Sequence, residues 1–429
     1  MDMQYIPVPE GLQTAAFVLG HGANELVPEL LNKYFTGKIP WIIADGNTWN
    51  AAGKKVYELL ENNGFKNVEP YIFPADPRPH PDYAISQKLA EIMPQNAVPV
   101  AVGSGVINDL VKCAAGINNV RYCCVATACS VDGYSSNGGA MSVCGQKKTV
   151  PCPAPYAICA DIDVLKTAPA PMFAAGYADL LAKVPAGADW LIADILGIEA
   201  VDREIWSLIQ EPLRERISDS SDMGKVFAGL ASSGYGMQMY PDSRPASGAE
   251  HMFSHVWEME GLTCNGEEIS HGFKVGIGVL IAVSLMEYII DNDFETLRPR
   301  MKKPLSKDER FAEVSELYKR NCYGNDPCRT AMQKYLTPEE TAERRELIAS
   351  KWHDLQNALK KQIVPFAELK KMLKNADCPT TPAEIGLGRE QTLHAVHTAQ
   401  TIRIRYTILD LLYECGLLDD ACKTLDKLF

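Results

Sequence analysis

The stretch Val98 to Asp109 reads Val-Pro-Val-Ala-Val-Gly-Ser-Gly-Val-Ile-Asn-Asp. An apolar run, Val98 to Val102, ends in Gly103-Ser104-Gly105, and a helical pattern follows at once. A short continuous apolar run bounded by turn residues suits a strand buried on both faces, the kind found in parallel sheets. The same unit recurs on either side. Phe17 to Leu19 ends at Gly20-His21-Gly22 and leads into a helical pattern through Leu31. Trp41 to Ala44 ends at Asp45-Gly46-Asn47 and precedes a helix over Ala51 to Leu60. Val68 to Phe73 is followed by Pro74, Pro77, Pro79 and Pro81, then by a helix over Ile85 to Ile92. Tyr122 to Ala126 is the next strand. This alternation predicts a mostly parallel sheet with helices on both faces, a fold that binds nucleotides at the carboxyl ends of its strands.

The loops at those ends have suitable chemistry. In Gly103, Ser104, Gly105, Val106 and Ile107 the glycines let backbone N–H groups approach a diphosphate, and the helix N-terminus favours its charge. Asn108 takes the third glycine position of GxGxxG, so a tight strand-to-helix turn is the competing reading. Asp45 suits an adenine ribose, or else an Asx-turn before Thr48. Thr127 to Ser136 is rich in hydroxyls, which can hold a cofactor's pyrophosphate or carboxamide. Asp132 would repel a phosphate and so faces a hydroxyl or an amide; a turn built from Asx and Ser motifs is the alternative.

A hairpin pattern near residues 141–150 and a strand over Ala157 to Asp161 complete this half. Beyond Pro169 and Pro171 the chain reads as helices: 172–197, 199–210, 223–239, 247–260 and 271–292. The expected division is an α/β dinucleotide-binding domain over 1–165 and a helical metal- and substrate-binding domain over 166–429. Residues 291–352 are charged and weakly periodic, and read as an exposed helical elaboration. Residues 384–413 read as one long helical pattern, with His394 and His397 on a polar face.

Three of the eight histidines, His251, His255 and His271, fall between Ser247 and Gly278. His251 and His255 stand at i and i+4, so on a helix both rings leave one face. His271 opens the next apolar run after a Gly- and Asn-containing turn that can fold it back on the first. Converging imidazoles suit a divalent metal, although the spacing alone also suits a polar helix face. Asp179 lies in an otherwise apolar helix start. A buried carboxylate needs a partner, and Asp with two His leaves positions open for substrate. A surface pair with Lys183 at i, i+4 is the plainer reading.

Composition narrows the class. A net charge of −12 argues against nucleic acid as a partner. No window holds 18 uninterrupted apolar residues, so no membrane span is expected, and the start Met-Asp-Met-Gln-Tyr-Ile-Pro is not a signal peptide. The 13 cysteines include no CxxC and several lie in strand-like runs. They read as reduced thiols in a cytoplasmic protein, with a Cys322–Cys328 disulfide disfavoured by the same argument.

Taken together, GSGVIND at Gly103, ATACSVDGYSS at Ala126, GYADLLAK at Gly176, SGAEHMFSH at Ser247 and SHGFKVG at Ser270 resemble the sn-glycerol-1-phosphate dehydrogenases. These belong to the iron-containing alcohol dehydrogenase and dehydroquinate synthase-like superfamily. The resemblance implies a Rossmann-like α/β N-terminal domain, an all-α C-terminal domain and an active-site cleft between them. It implies Asp179, His251 and His271 as metal ligands, so that of the i, i+4 pair only His251 binds metal. Asp132, Asp179 and His255 would meet substrate, with Asp179 and His255 catalytic. Gly103 to Ile107, Thr127, Ser130 and Ser136 would hold the nicotinamide cofactor, and Asp45 its ribose. Cys129 stands where relatives often have proline, and the segment after Asp291 is longer than in the shortest relatives.

The expected activity is reversible NAD(P)H-linked reduction of dihydroxyacetone phosphate, with one zinc, nickel or iron ion. NAD(H) is expected ahead of NADP(H), since a carboxylate at Asp45 would repel a 2′-phosphate. Lys148 and Arg244 are the cations to consider for the substrate phosphate. A homo-oligomer, in the first instance a homodimer, is expected. The alternatives are a polyol dehydrogenase, a dehydroquinate synthase-like cyclase, and a non-catalytic metal- or nucleotide-binding protein.

Overall fold

The structure is a computed structural model and describes residue 2 and residues 4–66, 68–144, 146–319 and 327–429. Strands β1 (Gln4–Tyr5), β2 (Ala16–Gly20), β3 (Ile39–Asp45), β4 (Tyr71–Phe73), β5 (Ala97–Gly103), β6 (Cys123–Ala126) and β9 (Ala157–Asp161) form one sheet in the order β1-β2-β9-β6-β5-β3-β4. All pairs are parallel except β1–β2. Strands β2, β5, β6 and β9 are buried along their whole length, as continuous apolar runs require. Val18, Ile42, Val100, Val125 and Cys159 pack against Val27, Leu30, Leu31, Val56 and Leu60 of two covering helices, Val27–Tyr34 and Lys54–Asn62. The hairpin β7 (Gly138–Val143) and β8 (Gln146–Pro151) is separate and antiparallel.

The chain divides into two compact units: residues 1–180 with 214–242, and residues 181–213 with 243–429. The first is the α/β unit. Among its described residues the second is helical apart from a short hairpin, Thr263–Cys264 with Glu267–Glu268. Its core is the helix His271–Asp291. That helix is long and apolar enough to cross a membrane, yet 83% of its apolar window is buried by the protein itself.

Three elements differ from the sequence reading. The expected helix 172–197 is two helices, Ala170–Leu181 and Lys183–Ile195. Pro185 has no N–H to give to the Leu181 carbonyl, so the ladder breaks there. The pattern 384–413 is also two helices, Arg389–Ala399 and Ile408–Glu414. Thr407 starts the second with a capping box, accepting from the Leu409 N–H while Asp410 accepts from its own N–H. Residues 291–352 are not simply exposed: Ile348 and Trp352 are buried, and the Trp352 indole N–H donates to the Asn292 carbonyl at 2.9 Å. The Cys322–Cys328 question lies outside the described residues.

Candidate active site

Strand β4 lies on one side of β3 and β5 on the other, so the strand order turns between Asp45 and Gly103. Ligands bind such sheets at this switch point. After Gly103 the chain enters the helix Gly105–Ile117, whose N-cap Ser104 makes no side-chain capping bond. The first-turn N–H groups therefore have no partner from that hydroxyl. A Cβ on Gly103 would sit 2.4 Å from Ile107 Cβ, so only glycine fits that turn. Asn108 replaces a motif glycine because it has other work: its Oδ1 accepts from Tyr122 Oη at 3.1 Å, and its amide reaches the Tyr134 carbonyl at 3.5 Å.

Asp45 is buried, and its Oδ1 accepts the N–H groups of Asn47 at 2.8 Å and Thr48 at 2.9 Å. The Asx-turn is thus present, whatever else the carboxylate does. Thr127 N–H donates to the Gly103 carbonyl at 3.1 Å, joining the hydroxyl-rich loop to the glycine turn. Thr127, Ser130 and Ser136 are all buried. The loop is fastened by Lys112, which is fully buried. Its ammonium donates to the Gly133 carbonyl at 2.7 Å, the Gly138 carbonyl at 3.0 Å and Ser136 Oγ at 3.3 Å, beside Asp109 at 3.5 Å. The sequence reading missed Lys112; its signal was a lysine on the apolar face of that helix. Asp179 is fully buried in Ala170–Leu181, so it is not half of an exposed pair. Its Oδ2 accepts the Asp132 N–H at 3.0 Å.

In the second unit the helix Ala249–Met259 carries His251 and His255, and His271 begins the next helix. Asn265 and Gly266, at φ 54° and 84°, make the tight turn between them. The helices meet where Gly278 faces the Glu250 carbonyl; a Cβ there would stand 2.3 Å from that oxygen. Three imidazoles result, with ring centres 5.4 Å apart for His251 and His271, 6.5 Å for His251 and His255, and 6.2 Å for His255 and His271.

Carboxylates hold these rings. His251 Nδ1 lies 2.8 Å from Glu250 Oε1, which also accepts the Gly248 N–H at 2.6 Å. Glu258 serves the other two rings: His271 Nδ1 is 3.0 Å from Oε1 and His255 Nδ1 is 3.5 Å from Oε2. Lys274 Nζ, 3.1 Å from Oε1, balances its charge. A carboxylate on Nδ1 makes that nitrogen the donor and leaves Nε2 with its lone pair, the orientation of a metal-binding histidine. The donor set on this unit therefore fits a divalent ion. Burial lowers the His255 pKa to about 4 against the opposing pull of Glu258, although the ring keeps 35% of its surface exposed. His255 is neutral at neutral pH.

Glu250, Glu258 and Lys274 were also missed. The available signal was a glutamate next to His251 and another three residues after His255. Arg244 is no phosphate ligand candidate: it is fully buried, donating to the carbonyls of Tyr406 at 2.8 Å and Asp189 at 3.0 Å. Lys148 is exposed on β8. His394 and His397 stand apart from the three-ring array, His394 3.8 Å from Glu260 and His397 3.2 Å from Asp419.

Comparison with known proteins gives consistent results. The family model "Iron-containing alcohol dehydrogenase" matches residues 18–169. The chain is 30% identical to the glycerol-1-phosphate dehydrogenase [NAD(P)+] of Bacillus subtilis (strain 168) over 390 residues, 87% of this chain and 84% of that one. It is 28% identical to the enzyme of the same name from Geobacillus thermodenitrificans over 419 residues, 94% of this chain and 93% of that one. Among solved structures, glycerol dehydrogenase from Schizosaccharomyces pombe superposes with a TM-score of 0.60 at 15% identity, covering 99% of this chain and 94% of that one. Alcohol dehydrogenase from Oenococcus oeni gives 0.56 at 15% identity, covering 98% and 100%. At these identities the solved structures speak for the fold alone.

Proposed function

The chain belongs to the glycerol-1-phosphate dehydrogenases, within the iron-containing alcohol dehydrogenase superfamily, and on that premise we propose how its residues divide the reaction. It is an NAD(P)-dependent oxidoreductase that reduces dihydroxyacetone phosphate to glycerol 1-phosphate reversibly and uses a divalent metal. The observation that carries the residue assignment is the three-imidazole array with a carboxylate on each Nδ1.

Asp179, His251 and His271 are the ligands in this reading, the two histidines through Nε2. A divalent ion held by these three residues would supply Lewis-acid polarisation of the ketone and would stabilise the charge that develops on its oxygen. Segment 1–165 holds the dinucleotide through Asp45, Gly103 to Ile107, Thr127, Ser130 and Ser136; segment 166–429 holds metal and substrate. Asp132, Asp179 and His255 meet the substrate. His255 moves the proton. Being neutral, it works as a relay rather than a charged reservoir: in alcohol oxidation its Nε2 lone pair takes the hydroxyl proton while Nδ1–H passes its own to Glu258, and ketone reduction runs the same transfer in reverse. Glu258 joins its Nδ1 to the ammonium of Lys274.

NADH is the preferred carrier in this reading, because a 2′-phosphate would meet the Asp45 carboxylate. The check is kcat/KM with NADH and NADPH side by side; a preference for NADPH removes Asp45 from the ribose. Zinc, nickel and iron all suit the donor set. The setting is a reducing, cytoplasmic one, in keeping with the free thiols of the twelve described cysteines, and the assembly is a homodimer.

His251→Ala and His271→Ala are each expected to lose bound metal and activity together, and Asp179→Asn likewise, since an amide is a weaker uncharged ligand. Elemental analysis beside kinetics on the same preparation checks this. Stoichiometric metal in any one variant removes that residue from the ligand set.

A further inference from the structure

Residues 291–352, which carry none of the proposed site residues, help to wall a cavity of about 620 Å³. That lies within the range of small-molecule sites. It belongs wholly to the second unit, and Asp179, His251, His255 and His271 are absent from its lining. Its charge is unusual for a chain of net charge −12. Lys302, Lys303, Arg310, Lys334, Arg344 and Arg345 line it against four carboxylates, Glu313, Asp410, Glu414 and Asp419.

Four of those cations are paired. Lys302 meets Asp419, Arg310 meets Glu313 at 2.5 Å, Lys334 meets Asp410 at 2.6 Å and Arg344 meets Glu414 at 3.4 Å. Lys303 and Arg345 have no carboxylate partner among the described residues. Arg345 is nevertheless held in place: Nε donates to the Glu414 carbonyl at 2.7 Å and Nη2 to the Lys302 carbonyl at 2.8 Å. Burial lowers its pKa against the opposing pull of Cys415. Burial also raises Glu414 to about 7, which weakens the compensation of Arg344.

The rest of the lining mixes polar side chains, among them Gln333, Thr341, His397 and Gln400, with apolar and aromatic ones. Tyr413 lies under the Arg310 guanidinium at 4.1 Å, Tyr406 is anchored by its hydroxyl to Glu414 at 2.7 Å, and Leu305 and Leu336 add apolar surface. Two uncompensated positive charges match one phosphomonoester, which carries about −1.5 to −2 at pH 7. The pre-set guanidinium fork suits its oxygens, and tyrosine faces suit a planar body. We propose that this cavity is a second ligand site, separate from the catalytic residues, for an organic phosphate with a planar unsaturated body.

Calorimetric titration of phenyl phosphate into the full-chain protein tests this, with inorganic phosphate and benzoate as partial probes. The expected result is a saturable isotherm at least about tenfold tighter than either partial probe, because head and body then bind together. Glycerol 1-phosphate, which has the head but no planar body, should compete no better than inorganic phosphate. Arg345→Ala should weaken it at least about tenfold, the loss of a charge-assisted fork. Because Arg345 also braces two carbonyls, Lys303→Glu is the second variant: the lysine side chain makes no bond among the described residues, and the change should weaken binding with Tm unchanged. The proposal is overturned by no isotherm up to about 10 mM, well weaker than the millimolar affinity that one anchored head alone can give. Displacement by glycerol 1-phosphate at concentrations lower than inorganic phosphate needs would overturn it too, as would binding that survives Lys303→Glu undiminished.

Discussion

Glu258 is the residue on which the histidine array turns. One buried carboxylate faces His271, His255 and Lys274 within 3.5 Å. It therefore fixes a proposed metal ligand and the proposed proton relay at once, and the two roles come apart on mutation. In His255→Ala the other rings keep their carboxylates, so metal content should stay near wild type while kcat falls about 10²-fold, the scale of a positioned acid–base group. In Glu258→Gln the orientation of His271 is lost as well, so metal affinity should fall about 10–100-fold and kcat with it. Metal content and steady-state kinetics on both variants separate these outcomes; a metal-free His255→Ala would return His255 to the ligand set. The pH profile adds a check. With a pKa of about 4, His255 should add no inflection to kcat/KM between about pH 5.5 and 8, and a limb near 6.5 that vanishes in His255→Ala would contradict its neutral form.

At the scale of elements, the array depends on how closely two helices pack. Gly278 lies within the helix His271–Asp291, where alanine would be the better helix former by about 1 kcal/mol. Against that, its Cβ would meet the Glu250 carbonyl at 2.3 Å, a backbone atom that cannot swing away. Overpacking of this kind costs about 1–3 kcal/mol, so the clash outweighs the propensity gain. Gly278→Ala should lower Tm and also weaken metal binding, since separating the helices moves His271 from His251. Thermal melts with and without added metal decide the sign; a raised Tm would mean that propensity wins. The hairpin at Asn265-Gly266 sets where the second helix begins, and Gly278 sets how near it lies.

For the molecule as a whole, stability should depend on pH through buried acids. Asp189 accepts the N–H groups of Ala249 and Ile408 at 2.7 Å each, and is pushed up to about 7 by burial first and by Glu250 second. An unfolded Asp titrates near 3.9. Between about pH 4 and 7 the folded protein therefore keeps a proton that the unfolded chain releases. That contribution is complete below about pH 4 and is lost as pH rises through 7. Asp189→Asn should flatten the fall in Tm between about pH 5 and 8 relative to wild type. An unchanged slope would show that Asp189 is ionised in the fold.

The parallel sheet was legible because strands buried on both faces leave continuous apolar runs, and each run ends in a loop of glycine, hydroxyl or carboxylate. The candidate histidines were legible because helical spacing and a short turn bring 251, 255 and 271 together whatever else the chain does. Sequence by itself thus determined the fold class and the three imidazoles that the candidate site brings together. Asp45 shows its limit, since the same carboxylate reads as ribose ligand or turn cap, and the cap is present in the fold. What only the tertiary structure decided is the partnering of buried charge. Lys112 could be read as a surface lysine, Glu258 as an ordinary helix glutamate and Arg244 as a phosphate ligand. Each finds its partners across tens or hundreds of residues or across a turn, and no local pattern encodes which buried polar group another will meet. The same holds for the cavity beyond residue 291, whose cations come from segments that only packing brings together.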